Sequence, residues 1–268
     1  MSEFQLGVIG AGNMATAMLR GVVERGYLSR EEIVASDPDA SRRAALEGAL
    51  GIACVPDNLA PASCARVLLC VKPFVMDEAL ADIAGAVRDD ALVISIAAGI
   101  STDQLDRGLG GKGRIVRVMP NTPMLVGAGV SAVSAGPRAT PDDVEWTRAL
   151  CAAGGQAVVV EEGLMDAVTG VSGSGPAYFL YFIEALTEAG IEQGLDPEVA
   201  AVLAAHTGLG AAKLLVETGE TPQALRGKVT TPGGTTEAAI RHMEQSKLSG
   251  IIQGAVAAAT QRGKELGG

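Results

Sequence analysis

The chain is short of several residue types, and each shortage narrows the functions open to it. Aromatic residues make up only 3% of its 268 positions, and no stretch concentrates Lys and Arg. Surfaces that stack nucleic-acid bases need aromatic side chains, and surfaces that neutralise phosphates need clustered cations. The formal net charge of −10 is also unfavourable for binding an anionic membrane surface. We therefore expect neither nucleic acid nor a membrane as a partner.

Cysteine is scarce as well. The four cysteines, Cys54, Cys64, Cys70 and Cys151, include no CxxC pair, so we expect reduced, packed thiols rather than disulfides or a zinc site. The N-terminal residues do not have the pattern of a signal peptide, and the most apolar long stretch, residues 199–216, is short for a membrane span. A soluble, cytoplasmic protein is expected, with a small-molecule substrate and copies of itself as partners.

The two halves of the chain have different patterns. The first half alternates helix-like stretches with short apolar runs, at residues 4–9, 33–36, 67–71, 92–97, 115–119, 130–135 and 157–160. Such alternation predicts a parallel sheet covered by helices on both faces. From about residue 163 only helical patterns occur, at residues 176–190, 197–216, 235–244 and 248–265. We predict an α/β Rossmann-type domain over residues 1–162 and an all-helical domain over residues 163–268.

The helix predicted at residues 197–216 is apolar nearly all round. We expect Asp196 to cap it and Pro197 to begin it. A small helical domain cannot cover so much apolar surface with its own core alone. The helix is therefore predicted to be buried between subunits.

A glycine turn near the N-terminus predicts a dinucleotide site. Gly10, Gly12, Asn13 and Met14 belong to a GxGxxA motif that directly follows the first strand and opens a helix. The first glycine makes the tight turn, and the second lets a pyrophosphate approach the backbone. The helix N-terminus adds unpaired N–H groups that favour an anion.

Asp37, at the end of the second strand, leaves the choice between NADH and NADPH open. An acidic residue here usually holds the ribose 2′-hydroxyl of NAD and repels a 2′-phosphate. Arg42 and Arg43 follow closely and would reverse that preference. Asp37 is equally well interpreted as the cap of a helix that begins at Pro38.

The chain offers few groups for acid catalysis. Hydride transfer to a ketone normally needs a proton donor. Neither Tyr178 nor Tyr181 has a lysine four residues on, and Lys72 is held in a Val-Lys-Pro strand end that suits cofactor lining. We expect His206 to be a core residue and His242 a surface residue. A substrate that already carries its proton, such as an iminium, needs orientation instead, and so an imine is favoured.

A second glycine turn, VTTPGGTTEAAI at residues 229–240, also opens a helix. It lacks the GK[ST] sequence of a nucleotide P-loop. Gly233 and Gly234 allow backbone N–H groups to curl inward, and Thr235 begins the helix. A plain turn with threonine caps has the same appearance, so the residues alone leave an anion site and a plain turn open.

Six segments together resemble pyrroline-5-carboxylate reductases in order and spacing over essentially the whole chain: GVIGAGNMATAM, LLCVKPFVM, VISIAAGIS, IVRVMPNTPMLVGAGV, DAVTGVSGSGPAYFLYFIEALTEAGIEQGL and KVTTPGGTTEAAI. The resemblance implies reduction of L-1-pyrroline-5-carboxylate to L-proline by NAD(P)H, the last step of proline biosynthesis. It also implies a homodimer that interlocks through the helical domain, shares its site across the dimer and in some members forms a decamer.

The resemblance also implies positions for the site. The expected cofactor residues are Gly10, Gly12, Asn13, Met14, Ser36, Asp37, Asn58, Val71, Lys72, Pro73, Ala97, Ala98 and Asn121. The second glycine turn is expected to hold the substrate carboxylate through Thr231, Gly233, Gly234, Thr235 and Thr236. Thr236 is further expected to hydrogen-bond the ring nitrogen, and no metal is expected.

Two alternative functions remain open from the sequence. A related 3-hydroxy acid dehydrogenase shares the two-domain plan, but it requires a catalytic lysine on the long helix at residues 176–190, which has none. A non-enzymatic sensor would bind the dinucleotide without turning it over.

Overall fold

The computed structural model describes residues 4–267, whose N-terminal part is built on an eight-stranded sheet. The strands are β1 Leu6–Ile9, β2 Ile33–Ser36, β3 Ala53–Val55, β4 Arg66–Leu69, β5 Leu92–Ser95, β6 Arg114–Met119, β7 Gly129–Ala135 and β8 Gly155–Val159. They lie in the order β3-β2-β1-β4-β5-β6-β7-β8. The strands β1 to β6 are parallel, β7 runs antiparallel to β6, and β8 runs parallel to β7.

Helices cover both faces of this sheet, as the apolar strands require. They are α1 Asn13–Glu24, α2 Ala40–Leu50, α3 Leu59–Ala62, α4 Met76–Ile83, α5 Thr102–Gly108 and α6 Pro141–Ala152. One apolar core includes side chains of α1, α2 and α6, and a second includes side chains of α4 and α5. Every residue of β1, β2 and β5 is buried. The predicted α/β Rossmann-type class is confirmed.

The chain that follows β8 forms short helical segments before the helical unit begins. It forms α7 Met165–Val168 and a π-helical turn, Thr169–Gly173. Met165 is fully buried, and Glu162 accepts a hydrogen bond from the Thr102 backbone N–H at 2.7 Å. By compactness the first unit ends at Ser174 and includes the chain from Ala258 onward, whereas the sequence predicted a division at residues 162/163.

The second compact unit, Gly175–Ala257, is helical. Its helices are α8 Gly175–Glu192, α9 Pro197–Thr218, α10 Pro222–Val229, α11 Thr235–Gln245 and the first part of α12 Leu248–Gly267. The predicted start of α9 is confirmed, because the Asp196 carboxylate accepts the Glu198 N–H at 2.9 Å. His242 is exposed as expected, and His206 is also exposed in the single chain, where α9 buries only Ala200 and Ala204.

Large apolar side chains are exposed along α8 and α9 in the single chain, namely Phe179, Leu180, Tyr181, Phe182, Leu186, Val199, Val202, Leu203, Leu209, Leu214 and Val216. With a mean hydropathy of 1.7, α9 is also long and apolar enough to cross a membrane by those two criteria alone. Core helices of soluble proteins meet the same criteria. These faces lack a covering partner within their own unit.

Candidate active site

A cleft of about 630 Å³ lies at the carboxyl ends of β1, β4, β5 and β6. It opens beside the point where chain order reverses, between β1 and β4. Open α/β sheets bind ligands at such switch points because the connecting loops diverge there. The predicted residues that line it are Gly12, Asn13, Met14, Val71, Lys72, Pro73, Ala97, Ala98 and Asn121.

The two glycines of the first turn have different local requirements. Gly10 has a φ of +98°, and a Cβ there would lie 2.8 Å from the Cys70 carbonyl oxygen. Only glycine tolerates both conditions. A Cβ on Gly12 would meet nothing within 4 Å, so this position faces open space. Gly12 is the N-cap residue of α1 and has no side chain to cap it, which leaves first-turn N–H groups for an anion.

Asp37 ties the end of β2 to the glycine turn. Its carboxylate accepts the Ala11 N–H at 3.0 Å and the Asp39 N–H at 2.9 Å, and only 4% of the side chain is exposed. The alternative in which Asp37 caps a helix from Pro38 is wrong. Helix α2 begins at Ala40 because the Asp39 carboxylate accepts the Ser41 N–H at 2.8 Å.

Four predicted cofactor residues do not line the cleft: Gly10, Ser36, Asp37 and Asn58. Ser36 is buried, and its hydroxyl lies 2.6 Å from the Asn58 amide oxygen. The Asn58 amide nitrogen in turn donates to Asp82 at 2.8 Å. These side chains connect β2 to α3 and α4.

Asn121 connects three segments around the cleft. Its amide nitrogen donates to the Ser172 carbonyl at 3.1 Å, and its amide oxygen accepts the Val130 N–H at 2.9 Å. The side chain therefore joins the end of β6 to β7 and to the π-helical turn, whose Gly173 lines the cleft. Single π-helical turns are common at functional sites because they displace one residue of a helix.

The sequence did not indicate part of the lining, namely Ala11, Thr16, Ala45, Cys70, Ile96, Leu125 and Gly173. Helical periodicity predicts some of these positions, because Thr16 lies one turn beyond Gly12 and Ala45 lies three residues beyond Arg42 on the same helix face. The contribution of Gly173 depends on a contact over 51 residues of sequence, between Asn121 and Ser172, and has no local signal.

Three thiols of this unit, those of Cys54, Cys70 and Cys151, are poorly suited to nucleophilic chemistry. Burial raises the pKa of Cys70, which lines the cleft, and raises the pKa of Cys151 to about 12. Burial also raises the pKa of Cys54 to about 11. A neutral thiol is a weak nucleophile. Within residues 4–267, no group of three or more His, Cys, Asp and Glu side chains is arranged to hold a metal ion.

The predicted substrate turn lies in the second unit, immediately before α11. Gly233 has a φ of +73°, and its N–H donates to the Glu237 carboxylate at 2.9 Å. The Gly234 N–H donates to the Thr231 carbonyl at 3.0 Å. Both glycine N–H groups therefore donate hydrogen bonds within this segment and are not directed to a ligand. Helix α11 begins at Thr235 without a capping side chain, so its first-turn N–H groups are the donors left for an anion.

The fold and the cleft together define a dinucleotide-dependent oxidoreductase. A family model described as pyrroline-5-carboxylate reductase dimerisation matches residues 162–266, and one described as NADP oxidoreductase coenzyme F420-dependent matches residues 5–99. The pyrroline-5-carboxylate reductase of Synechocystis is 44% identical, with 99% of each chain covered. The chain belongs to the pyrroline-5-carboxylate reductase family.

Solved structures agree with this membership. A pyrroline-5-carboxylate reductase from Coxiella burnetii superposes with a TM-score of 0.94 at 34% identity, covering 99% of each chain. The Plasmodium falciparum enzyme, solved with NADP bound, gives a TM-score of 0.85 at 27% identity and covers 100% of each chain. The expected activity, NAD(P)H-dependent reduction of pyrroline-5-carboxylate to L-proline, is confirmed by these relationships. They do not support the hydroxy acid dehydrogenase or the sensor.

Proposed function

We propose that the cleft of the first unit binds NAD(P)H and that the turn before α11 binds the carboxylate of L-1-pyrroline-5-carboxylate. The observation that carries this assignment is the open space at Gly12 beside an uncapped helix N-terminus, where a pyrophosphate fits. When bound, NAD(P)H supplies the hydride that converts the C=N bond into CH–NH.

In this proposal the chain contributes alignment rather than a strong acid. Lys72, Ala97 and Asn121 lie at three neighbouring strand ends and form the wall against which the nicotinamide is placed. The iminium form of the substrate brings its own proton. Correct placement of two reactants is worth up to roughly 7–11 kcal/mol in favourable systems, which is sufficient for large accelerations.

Thr236 is proposed to hydrogen-bond the ring nitrogen, and Thr231, Gly233, Gly234 and Thr235 to shape the carboxylate site. Thr236→Ala is expected to lower kcat/KM for pyrroline-5-carboxylate by roughly 10-fold or more, because it removes a hydrogen bond to a charged group. The measurement is loss of reduced-nicotinamide absorbance at varied substrate concentration.

Thr230→Ala is the matched control, since the Thr230 hydroxyl donates to the Arg226 carbonyl at 2.7 Å and lies outside the proposed contacts. Thr236→Ser is expected to restore most of the activity. An unchanged kcat/KM in Thr236→Ala would remove Thr236 from the mechanism.

We further propose a soluble homodimer, or a decamer of five such dimers, that works in the cytoplasm without a nucleic-acid or membrane partner. The apolar faces of α8 and α9 and the dimerisation model over residues 162–266 support assembly through the helical unit. The site is proposed to be shared between two copies. Light scattering distinguishes the dimer from the decamer, because they contain two and ten copies of the 27.1 kDa chain.

A further inference from the structure

Two adjacent arginines on the first turns of α2 are used in different ways. Arg43 is half-buried, and its guanidinium donates to the Asp37 carbonyl at 2.7 Å and to the Pro38 carbonyl at 3.0 Å. It anchors the loop between β2 and α2. Arg42 is 60% exposed, and its nearest carboxylate oxygens, on Asp37 and Asp39, are each 3.7 Å away. Those distances are too long for hydrogen bonds, so the Arg42 donors are available to a ligand.

Arg42 also faces the cofactor cleft, whereas Arg43 does not line it. Ala45, three residues further along α2, lines the same cleft. One face of α2 therefore forms the cleft wall next to β2, the region where Rossmann-type folds place the adenosine ribose.

Asp37 cannot act freely as the acidic reader of an unphosphorylated ribose. Its carboxylate is almost fully buried and already accepts N–H groups from Ala11 and Asp39. The charges of Asp37, Asp39, Arg42 and Arg43 sum to zero. A 2′-phosphate that binds here therefore meets no net negative charge. The preference between NADPH and NADH then depends on the hydrogen-bond donors that are available to the phosphate.

We propose that Arg42 binds the 2′-phosphate of NADPH and makes this chain selective for NADPH over NADH. The inference rests on the proposed cofactor role of the cleft. A guanidinium forms paired hydrogen bonds with phosphate oxygens, and such charge-assisted bonds are among the stronger ones in proteins. Asp37 is then a structural tie between β2 and the glycine turn, and the acidic residue at this position does not specify NADH.

Binding of two nucleotide fragments tests this without turnover. Adenosine 2′,5′-bisphosphate carries the 2′-phosphate and 5′-ADP does not, and calorimetry on the full chain gives both dissociation constants. We expect Arg42→Gln to weaken binding of the bisphosphate by roughly 10- to 100-fold, the range of lost charge-assisted hydrogen bonds, and to leave 5′-ADP binding within about twofold. Unchanged 5′-ADP binding also shows that the variant is folded.

Arg43→Gln is the matched control, with the same change in charge one residue away, and it is expected to preserve the ratio of the two affinities. Steady-state kcat/KM for NADPH and NADH with pyrroline-5-carboxylate is expected to follow the same pattern. A ratio that is equal in the unsubstituted chain and in Arg42→Gln would overturn the assignment. If the unsubstituted chain did not turn over pyrroline-5-carboxylate, the proposed function would be contradicted. The ratio of the two fragment affinities would still test the role of Arg42.

Discussion

Gly10 and Gly12 have different roles in the first glycine turn, although both belong to one sequence motif. Gly10 is required by its backbone conformation and by the carbonyl oxygen of Cys70. Neither requirement applies to Gly12, since a Cβ at this position would lie in open space. Substitution of each by alanine therefore separates folding from cofactor binding.

Gly10→Ala is expected to destabilise the chain by about 1–3 kcal/mol, because a non-glycine residue is strained at positive φ. Gly12→Ala is expected to leave the free energy of unfolding within about 0.5 kcal/mol but to weaken cofactor binding by 10-fold or more, since its methyl group enters the cleft. Denaturant unfolding and NADPH titration measure the two effects. Equal losses of stability in both variants would show that Gly12 is a packing position.

At the scale of elements, helix α6 is fixed to the sheet by one buried acid. Asp143 accepts hydrogen bonds from the Arg114 guanidinium at 2.7 and 3.0 Å and from the backbone and hydroxyl of Thr140. Burial acts to raise the pKa of Asp143, but these hydrogen bonds outweigh it and hold the pKa below its ordinary value of 3.8. A carboxyl group whose pKa is lowered by folding stabilises the fold only while it is ionised.

The Asp143 contribution should therefore be complete at neutral pH and should be lost as the pH falls below 3.8 through the lower pKa of the folded chain. Asp143→Asn is expected to cost about 1–3 kcal/mol at pH 7 and progressively less at acid pH. Unfolding of both proteins between pH 7 and pH 3 measures the difference. A deficit independent of pH would assign the effect to packing. Glu145→Gln, at an exposed ion pair with Arg148, is the control expected to change stability little.

Strands that form apolar runs and helices with a clear capping residue could be predicted from the sequence. Short elements that bury little could not. The strands β1, β2 and β5 are fully buried and stand out as apolar runs, and the start of α9 follows from Asp196. Strand β3 is three residues long and partly exposed, so its residues have no distinguishing pattern. Helix α10 was also missed, because it is short, buries no residue and has little apolar character.

The candidate site shows the same division. Gly12 was expected at a cofactor site from its glycine motif, Lys72 from its place at a strand end and Ala97 from the family resemblance, and all three line the cleft. The actual partners of Asp37 and of Gly233 depend on side-chain geometry that no spacing rule encodes. The end of α12 belongs to the first unit for a similar reason: a Cβ on Gly267 would lie 2.9 Å from the Gly99 carbonyl oxygen, a contact between positions far apart in sequence.

For the whole molecule, the exposed apolar faces of α8 and α9 predict that assembly is required. Leu203 on α9 is 52% exposed in the single chain. Leu203→Glu is expected to leave the chain folded but to reduce the assembly to smaller species, because a charge buried in an apolar interface is costly. Light scattering and circular dichroism measure the two properties. Leu59→Glu, at a comparably exposed site on α3 of the first unit, is expected to leave the assembly unchanged. An unchanged mass in Leu203→Glu would exclude this face from the interface.

We propose that the chain transfers a hydride from NADPH to the imine carbon of L-1-pyrroline-5-carboxylate. The most direct measurement uses NADPH deuterated at nicotinamide C4 in the transferred position, with the product examined by mass spectrometry and NMR. We predict L-proline with one deuterium at C5, formed in equal amount to the cofactor consumed. Proline without deuterium at C5, or cofactor oxidation without proline, would contradict it.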